Sequence, residues 1–492
     1  MSLLYINKEP KKIRIFHTHI EISPYKLGEN EQIERMLSIW IDAEYRFDPV
    51  GYYVKDNVLY IPRGINPYIL EKEFNSTSFT VKKPDDYSVV NNVIITVPPR
   101  DRIQEESIDF LTCENNFKSA LSYSQQALIL DTGDGKTYTT THAIIKLKMK
   151  AIIITHQDKI KQQWIKTFLT KTNISKDRLV NISSSNIIEK IVSGKKSGDF
   201  YFVNHQTLNS YGKSHGWDNV HRLFQKISVG IKVFDEAHLS FKNVLMIDFF
   251  SNVKKTFYLT ANFGRSDSKE ERLFKKCFSS VYKFGEETKH YEEKRKHIIY
   301  VPVLYRSNPS FNQKQMTINM YGFSVLNFFK YAMHEDYEKT MLNVFFKVFE
   351  IANQLDGKIL ITVPKIEETE YIKKIIDTNY PNNYKNIMTI NSKNSQSEND
   401  LAKSSADIIC STIKSCGTGV DIPGLRCVIN LEPFSSNITT NQLSGRLREY
   451  SKDKDTFFFD LIDTAFPTCE RQYKTKLSYL KKKCKEIRVM KI

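Results

Sequence analysis

The sequence lacks any run of about 18 uncharged apolar residues, the length that a membrane-spanning helix requires. Its first residues, MSLLYINKEPKKIRIF, lose their apolar character too early for a signal peptide. The seven cysteines are scattered and include no CxxC pair, so neither a disulfide framework nor a zinc site is suggested. These absences predict a soluble intracellular protein without a membrane partner, located in the host cytoplasm if the chain is viral.

Arginine is scarce among the basic residues: 17 of 72 are arginine, and the net charge is +16. A charge of this sign favours a polyanion as partner, because each neutralised phosphate releases condensed counterions. The abundance of Lys, Ile, Asn and Tyr is equally typical of an AT-rich genome, which raises the charge without any binding role. The charge alone is therefore weak support for nucleic acid as a partner.

The length of 492 residues fits about three domains. Residues 1–97 mix short strand-like runs with one amphipathic stretch, Glu31 to Ala43, and predict a small α+β N-terminal domain, a candidate substrate-binding module. Within it, Tyr52–Val54 and Val58–Ile61 predict a hairpin with a short polar turn. Pro98-Pro99 then marks a linker.

From residue 98 onward, short apolar runs alternate with helical stretches, which indicates βα units on parallel sheets. Residues 98–296 and 297–466 are predicted to form two such domains, so the fold class is α/β with two tandem parallel sheets after the small α+β domain. The predicted strands of the first domain are Ala127–Leu130, Ala151–Thr155, Phe200–Val203, Ile231–Phe234 and Thr256–Leu259. Those of the second are Ile298–Leu304, Lys358–Val363, Ile387–Ile390, Asp407–Thr412, Arg426–Leu431 and Phe457–Leu461.

Residues 467–492 are predicted to form a basic amphipathic C-terminal helix. Its apolar positions recur at a helical 4-3-4-3 spacing and are Tyr473, Leu477, Leu480, Cys484 and Ile487. Such a helix either lies along nucleic acid or packs its apolar stripe on the second α/β domain and leaves its lysines in water. The sequence favours packing.

The segment from Asp131 to Thr137, DTGDGKT, follows a predicted strand and precedes a predicted helix, which is the context of a phosphate-binding loop. Glycines let backbone N–H groups curl around phosphates at the helix N-terminus, Lys136 adds a point charge, and the Thr137 hydroxyl is a ligand for Mg²⁺. Leu130 stands where the full motif starts with Gly or Ala, so only its shorter core is present. The loop predicts ATP and Mg²⁺ as cofactors, with ATP bound by Thr132, Gly133, Asp134, Gly135, Lys136 and Thr137.

The second motif, Asp235-Glu236-Ala237-His238, follows the predicted strand Ile231–Phe234. Carboxylates at the C-terminal end of a strand stand where α/β sheets bind ligands. Asp235 is predicted to hold Mg²⁺ through water, and Glu236 to orient or deprotonate the water that attacks the γ-phosphate. A solvated Asp-Glu pair at a strand end would have the same sequence, but the phosphate loop about 100 residues upstream argues against this interpretation.

With these motifs the chain resembles the superfamily 2 helicases of the DEAH-type branch, and most of all the UvsW-type phage and XPB-like DNA helicases, over residues 100 to about 465. The resemblance implies two RecA-like domains and a nucleic-acid-dependent ATPase. In such proteins an upstream glutamine reads adenine, and Gln104 is its candidate. Ile152–Thr155 followed by Gln163-Trp164 resembles a motif that touches the nucleic-acid backbone, although a core strand and a packed tryptophan would look the same.

Another stretch is similar to the Ser/Thr-Ala-Thr motif that couples hydrolysis to domain movement. It consists of Thr260, Ala261 and Asn262, where the family usually has Thr in the third place. His238 is assigned to the same coupling group.

The second α/β domain carries two stretches with family resemblance. Gly417 to Pro423 is similar to the glycine-rich motif V, and it places Gly419 and Asp421 near the nucleotide. Gln442 to Arg448 is similar to motif VI. The resemblance implies that Gln442 helps to couple hydrolysis to domain movement and that Arg446 is the arginine finger that neutralises transition-state charge. The family's second arginine position is Glu449 here, so Arg448 is a shifted candidate.

The resemblance implies that ATP binds between the two α/β domains and that hydrolysis opens and closes this cleft to move nucleic acid. It further implies branched DNA as substrate, namely forks, junctions and R-loops, in phage recombination, repair or replication, with proteins of those processes as partners. DNA is favoured over RNA. A double-strand translocase, an RNA helicase and a non-hydrolysing scaffold stay open as alternatives, and the sequence does not give the oligomeric state.

The stretch around Met320 to Met341 looks like an insertion and carries no readable motif. Aromatic residues there, such as Tyr321 and Phe323, are able to stack on bases. Burial is the more common role of an aromatic side chain.

Overall fold

The computed structural model describes residues 11–42, 44–74, 79–113, 123–130, 134–261, 263, 268–285, 297–320, 322–334, 340–381, 385–417, 422–448, 450–451, 454–481 and 483–492. The described residues fall into two compact units, 11–285 and 297–492. Among the helices so described, none combines the length and the apolar character needed to cross a bilayer.

The first unit begins with a small α+β domain, as predicted. Its strands are β1 Lys12–Ile15, β2 His19–Ser23, β3 Ser38–Ile41, β4 Arg46–Pro49, β5 Tyr53–Lys55, β6 Val58–Pro62 and β7 Phe79–Val81, and its helices are α1 Glu31–Met36 and α2 Pro67–Phe74. Five strands form a mixed sheet in the order β5-β6-β2-β1-β7, and β3 and β4 form a separate antiparallel pair. Only the β1–β7 pairing of the mixed sheet is parallel.

The predicted hairpin of this domain is confirmed. Tyr53 pairs with Tyr60 across the turn residues Asp56 and Asn57, which both adopt positive φ angles. Tight two-residue turns need this left-handed conformation, and Asp and Asn tolerate it better than other residues with a side chain.

The predicted helix from Glu31 to Ala43 is wrong beyond Met36, where α1 ends. Ser38–Ile41 instead pairs with Arg46–Pro49 as β3 and β4. The segment contains two isoleucines and a tryptophan, which favour a pleated, half-buried strand over a helix. Ala43 itself lies outside the described residues.

The rest of the first unit is a seven-stranded sheet in which every pairing is parallel. Its strands are β8 Gln125–Ile129, β9 Ala151–Thr155, β10 Leu179–Ile182, β11 Phe200–Asn204, β12 Ile231–Asp235, β13 Lys255–Thr260 and β14 Tyr282–Phe284, in the order β10-β11-β9-β12-β13-β8-β14. The helices are α3 Arg102–Thr112, α4 Lys136–Leu147, α5 Asp158–Lys171, α6 Ser185–Val192, α7 His205–His215, α8 Trp217–Ile227, α9 Phe241–Phe249 and α10 Ser268–Cys277, with a 3₁₀ turn at Lys176–Arg178.

All five strands predicted for this sheet are present, and their central residues are buried. The sequence analysis missed β10 and β14, the two strands at the ends of the sheet. An edge strand is covered on fewer sides, so its sequence carries no continuous apolar run: β14 is YKF with two exposed residues, and β10 is LVNI.

The second unit contains another parallel sheet, so the predicted α/β fold class with two tandem parallel sheets is confirmed. Its strands are β15 Ile298–Tyr305, β16 Ile318–Asn319, β17 Gly322–Phe323, β18 Lys358–Val363, β19 Ile387–Ile390, β20 Ile408–Thr412, β21 Leu425–Asn430, β22 Thr456–Asp463, β23 Glu486–Ile487 and β24 Met490–Lys491. The order is β19-β20-β18-β21-β22-β15-β23, β24 also pairs with β15, and β16 and β17 form a separate hairpin. The helices are α11 Phe311–Met316, α12 Val325–His334, α13 Thr340–Asn353, α14 Ile366–Asn379, α15 Gln396–Ser405, α16 Ile413–Gly417, α17 Asn437–Ser444 and α18 Pro467–Leu480.

The prediction that residues 467–492 form one helix is wrong. The helix α18 ends at Leu480, and the following segments Glu486–Ile487 and Met490–Lys491 pair with β15. Without them, one side of β15 would present unpaired backbone groups, which this tail satisfies. The helical spacing of apolar residues continues past Leu480 only because short strands also place apolar residues against the sheet.

The N-terminal domain and the first parallel sheet share one hydrophobic core, which extends from Ile13 to Val281. A buried ion pair lies within it: Lys232 Nζ on β12 is 2.5 Å from Asp248 Oδ1 on α9. The Tyr258 hydroxyl donates to Asp248 Oδ2 over 2.8 Å, and the Gln125 amide donates to the same hydroxyl over 3.0 Å. The Gln125 amide also donates to the carbonyl of Thr18, so the network joins the N-terminal domain to strands β8, β12 and β13.

We expect Lys232→Met to destabilise the first unit by about 3–5 kcal/mol, because Asp248 is then left buried without its partner charge. The three tryptophans, Trp40, Trp164 and Trp217, all lie in this unit, so urea unfolding followed by tryptophan fluorescence measures it selectively.

The matched control is Lys242→Met, which breaks a half-exposed ion pair with Asp48 in the same unit and should cost less than about 1 kcal/mol. The double variant Lys232→Met/Asp248→Leu should recover most of the lost stability. Equal unfolding of Lys232→Met and Lys242→Met would contradict the importance of the buried pair.

Candidate active site

Three of the motifs predicted for the first unit follow the C-terminal ends of the neighbouring strands β12, β13 and β8. The segment after β8 leads to the phosphate loop, β12 ends at Asp235, and β13 ends at Thr260. Backbone hydrogen bonds hold the strand ends together: the Leu130 N–H donates to Thr260 O, and the Ala237 N–H donates to Leu259 O, both over 3.2 Å. The loops that carry the motifs therefore start from one rigid edge.

The described part of the phosphate loop consists of Asp134, Gly135 and the first turn of α4. Gly135 has a φ of +87°, a left-handed conformation that favours glycine, and it lies against the Gln104 side-chain amide. The Lys136 ammonium donates to the carbonyl of Leu130 over 2.9 Å, and Thr137 follows in the first helical turn. The predicted residues Thr132 and Gly133 lie outside the described residues.

Gln104, the predicted adenine reader, lies directly against this loop. It is buried on α3, where its backbone N–H donates to the side chain of Asp101. Its side-chain amide donates to the carbonyl of Asp134 over 3.3 Å and accepts from the backbone N–H of Arg100 over 2.9 Å. The structure thus brings Gln104 to the phosphate loop, while its contact with adenine stays a prediction.

The acidic pair occupies the turn after β12. Glu236 has a φ of +51°, a left-handed conformation that is uncommon for a residue with a side chain and typical of constrained functional turns. Its Oε2 atom is buried without a hydrogen bond to the described residues and lies 3.4 Å from His238 Nδ1. A carboxylate oxygen that is desolvated but not committed to a donor fits the predicted role of accepting a proton from water.

Trp164, on α5, holds the other acid of the pair. Its side chain is fully buried, and its indole N–H donates to Asp235 Oδ2 over 2.7 Å. The resemblance had placed this tryptophan in a motif that touches nucleic acid, but burial excludes such a contact for its ring. The alternative of a packed tryptophan is confirmed, and the hydrogen bond gives it a further role, which is to fix the rotation of the Asp235 carboxylate.

Burial raises the pKa of Asp235 to about 6, and the neighbouring charge of Glu236 acts in the same direction. The Trp164 hydrogen bond and the Lys136 charge oppose this shift, since both favour the ionised carboxylate. With this pKa, Asp235 is mostly ionised at neutral pH, as a Mg²⁺ ligand must be.

The oxygen donors predicted for Mg²⁺ suit that ion, because Mg²⁺ prefers carboxylate and hydroxyl oxygens and keeps several waters. Asp235 is the last residue of β12, and Thr137 lies in the first turn of α4, the helix that follows β8; β12 and β8 are separated only by β13. The part of the chain that the structure describes has no group of three or more His, Cys, Asp or Glu residues able to hold a metal.

The predicted coupling residues Thr260 and His238 are joined directly. The Thr260 hydroxyl and His238 Nδ1 lie 2.8 Å apart, and both side chains are buried. Ala261 follows, almost fully buried, and Asn262 lies outside the described residues. The contact ties the end of β13 to the acidic turn after β12, while the coupling role of the two residues stays a prediction.

His156, directly after β9, was not singled out from the sequence. Both of its ring nitrogens are buried and make no hydrogen bond to the described residues. Burial lowers its pKa to about 4, while the charge of Glu236 opposes the shift. His156 is therefore a neutral imidazole near the predicted catalytic base at neutral pH. No sequence motif marks it, and only the neighbouring positions of β9 and β12 reveal it.

In the second unit, the structure brings the two predicted arginines together. Arg446 is buried just after α17, Arg448 is exposed, and both line a cavity of about 260 Å³ with Pro423 and Tyr450. Gln442 lies half-buried on α17. The predicted residues Gly419 and Asp421 lie outside the described residues.

The sequence matches two protein families. Residues 102–265 match the family described as Type III restriction enzyme, res subunit, and residues 340–449 match the helicase conserved C-terminal domain. Together these matches cover more than half of the chain. Comparison with curated protein sequences gave no match.

Solved structures of low sequence identity share the fold. S. cerevisiae Dbp5 bound to RNA and ADP BeF3 matches 80% of this chain and 89% of its own at 12% identity, with a TM-score of 0.52. The ATP-dependent Type ISP restriction-modification enzyme LlaBIII bound to DNA matches 82% of this chain but 32% of its own at 14% identity, with a TM-score of 0.53. T4 UvsW matches 98% of this chain and 99% of its own at 14% identity, but its TM-score of 0.37 is too low to support an argument. The first two likenesses show two RecA-like domains.

We expect Trp164→Phe to weaken Mg²⁺ binding in the presence of ADP by about 10- to 100-fold, the effect typical of losing an outer partner of a metal ligand. The phenyl ring keeps most of the packing but cannot donate to Asp235. Mn²⁺ titration followed by electron paramagnetic resonance measures the ion directly, without relying on turnover.

The control is Trp217→Phe, a buried tryptophan of the same unit whose ring stacks on Phe250. It should leave the metal affinity unchanged. If both variants bound Mn²⁺ as the wild type does, the tryptophan would be a packing residue only.

Proposed function

We propose that this chain, which belongs to superfamily 2 of the helicases, hydrolyses ATP with Mg²⁺ and uses the energy to move along and remodel DNA. One observation carries the proposal: Asp235, Glu236 and Thr260 lie at or directly after the C-terminal ends of the adjacent strands β12 and β13, and the Lys136 ammonium donates to the carbonyl of Leu130 at the end of the next strand, β8. The helicase families matched by both units imply an ATPase that depends on nucleic acid.

Each residue of the first unit has a role that its position supports. The loop backbone at Gly135 and the N-terminus of α4 bind the phosphates, and Lys136 adds positive charge there. Asp235 and Thr137 would hold the Mg²⁺, and the ion would supply positive charge to the phosphates. Glu236 accepts a proton from the attacking water, and His156 contributes a neutral polar side chain near it.

Coupling of hydrolysis to movement is assigned to the contact between His238 and Thr260. Loss of the γ-phosphate changes the charge next to Glu236, which lies 3.4 Å from His238. Because His238 is bonded to Thr260 at the end of β13, the change reaches a second strand end. We assign the complementary part of the coupling to the second unit, namely to Gln442, Arg446 and Arg448. The arginines would stabilise the charge of the transition state, and Gln442 would pass the effect of hydrolysis on to that unit.

DNA is the proposed polymer, with forks, junctions and R-loops as substrates in phage recombination, repair or replication, and proteins of these processes as partners. The match to a restriction-enzyme subunit favours DNA over RNA. The same match favours a second candidate function, translocation on double-stranded DNA without strand separation. The solved structures do not decide, since LlaBIII was bound to DNA and Dbp5 to RNA.

The test is ATP hydrolysis by the purified protein with no polymer, single-stranded DNA, duplex DNA, forked DNA or RNA. Stimulation by forked or single-stranded DNA supports the proposal, and unwinding assays on branched substrates then follow. Stimulation by duplex alone favours the translocase. Stimulation by RNA alone, or no turnover with any polymer, contradicts the proposal.

We expect Lys136→Ala and Glu236→Gln each to abolish polymer-stimulated ATP turnover while DNA binding persists, because neither side chain is assigned a DNA contact. Turnover is measured by phosphate release and binding by fluorescence anisotropy. The exposed Lys166→Ala on α5 is the control and should hydrolyse ATP as the wild type does. Wild-type turnover by Glu236→Gln would show that the base is another group.

We expect Arg446→Ala to reduce turnover by about 10³-fold or more, the effect of removing an arginine finger in other phosphoryl-transfer enzymes. Arg448→Ala should reduce it far less. The two side chains line the same cavity, so each serves as the control for the other. If Arg448→Ala were the more damaging change, the finger would be the shifted arginine.

A further inference from the structure

The segment that carries Arg446 is packed against the C-terminal tail of the chain. It runs from the last turn of α17 into the following loop, and we call residues 441–448 the finger segment. Its residues Leu443 and Leu447 are almost fully buried, and they share one hydrophobic cluster with Leu480, the last residue of α18. Three partly buried residues of the same tail pack on this cluster, namely Leu477, Cys484 and Ile487.

A lysine of the tail also donates a hydrogen bond to the start of the finger segment. The Lys483 ammonium donates to Asn441 Oδ1 over 2.9 Å, and the Asn441 side chain is only 1% exposed. The carbonyl of Asn441 accepts from the backbone N–H of Gly445 over 2.8 Å, in the turn that leads to Arg446. Lys483 therefore holds the residue on which this turn is built.

A histidine holds the other end of the finger segment. His297 lies directly before β15, and its backbone carbonyl accepts from the Thr456 N–H at the start of β22 over 2.9 Å. Its ring atom Nε2 lies 2.8 Å from the carbonyl oxygen of Leu447. Because a carbonyl oxygen only accepts, the ring must carry a proton on Nε2 and donate it.

Arg446 thus lies between two backbone positions that the rest of the second unit fixes. Asn441 is held from the tail, and Leu447, the residue after Arg446, is held from the start of β15. The effect of a catalytic group depends steeply on its placement, since an error of about 1 Å can cost about 10²-fold in rate. Loosening either hold should therefore impair an arginine finger at residue 446.

We propose that Lys483 and His297 are positioning residues for ATP hydrolysis, which act by holding the finger segment so that the Arg446 guanidinium is in place in the transition state. Neither side chain is assigned a contact with the nucleotide, so both act through Arg446. The inference rests on the proposed function. It gives the C-terminal tail a part in the reaction that no motif of the sequence marks.

The first test is Lys483→Met, which keeps most of the side-chain length but cannot donate to Asn441. With saturating DNA, its kcat should fall about 10- to 100-fold. The KM for ATP should change less than about threefold, because a finger acts mainly in the transition state. Affinity for ADP with aluminium fluoride, a transition-state mimic, should fall with kcat, while affinity for ADP alone stays unchanged. Lys483→Arg keeps a donor and should recover most of the turnover.

The matched control is Lys485→Met, which removes the same charge two residues further along the tail. Lys485 pairs with Asp455, outside the finger segment, so this variant should hydrolyse ATP as the wild type does.

A second pair of variants tests the other hold. His297→Phe keeps a ring but loses the donor to Leu447, and it should also lower kcat. His297→Gln places an amide donor near the position of Nε2 and should stay close to the wild type. Circular dichroism checks that each variant folds, and the His297 pair carries the test if Lys483→Met does not fold.

The decisive measurement adds Lys483→Met to the Arg446→Ala variant. If the lysine acts through the arginine, its loss should lower the residual single-turnover rate of Arg446→Ala by less than about twofold, so the two effects are not additive. A full 10- to 100-fold further loss would overturn the inference, because the lysine would then act through the fold as a whole.

Wild-type kcat for both Lys483→Met and His297→Phe would overturn the inference and leave the proposed function intact. Equal losses for Lys483→Met and Lys485→Met would also overturn it, since the charge of the tail and not the bond to Asn441 would matter. A wild type that hydrolyses no ATP with any polymer would instead overturn the proposed function.

Discussion

The parallel register of β12, β13 and β8 is the constraint on which the candidate site depends. Parallel strands end at the same edge of a sheet, so three motifs that are far apart in sequence start from neighbouring positions. The strand ends are joined by backbone hydrogen bonds, by the contact of Thr260 with His238 and by the indole of Trp164 on Asp235. These contacts fix the acidic turn and the two strand ends beside it in one arrangement.

The N-terminal domain packs against the sheet that carries the candidate site. It shares a hydrophobic core with the first parallel sheet, and the buried network of Lys232, Asp248, Tyr258 and Gln125 reaches the carbonyl of Thr18. Lys232 lies only three residues before Asp235 on the same strand. Whatever the N-terminal domain binds, its position is fixed against the strands that carry the nucleotide motifs.

The basic C-terminal tail shows why net charge is a poor guide to a binding surface. Lys476 is buried in an ion pair with Asp460, Lys485 pairs with Asp455, and Lys483 donates to Asn441 beside the motif VI residues. These cations therefore contact groups of the second unit, and the short strands β23 and β24 of the same tail extend its sheet.

The sequence by itself determined the fold class, the central strands and the nucleotide motifs. Strands buried on both faces must be continuous apolar runs, and phosphate binding requires glycine and lysine directly after such a strand. Only the tertiary structure decided the features that depend on distant partners. The donor of Trp164 meets a carboxylate 71 residues away, the tail adds strands beside β15, and Phe323 packs against the core of the second unit while Met320 is exposed. The local pattern of apolar residues predicts which positions of a helix or strand are buried. The residue that a buried side chain contacts depends on how the elements pack against each other.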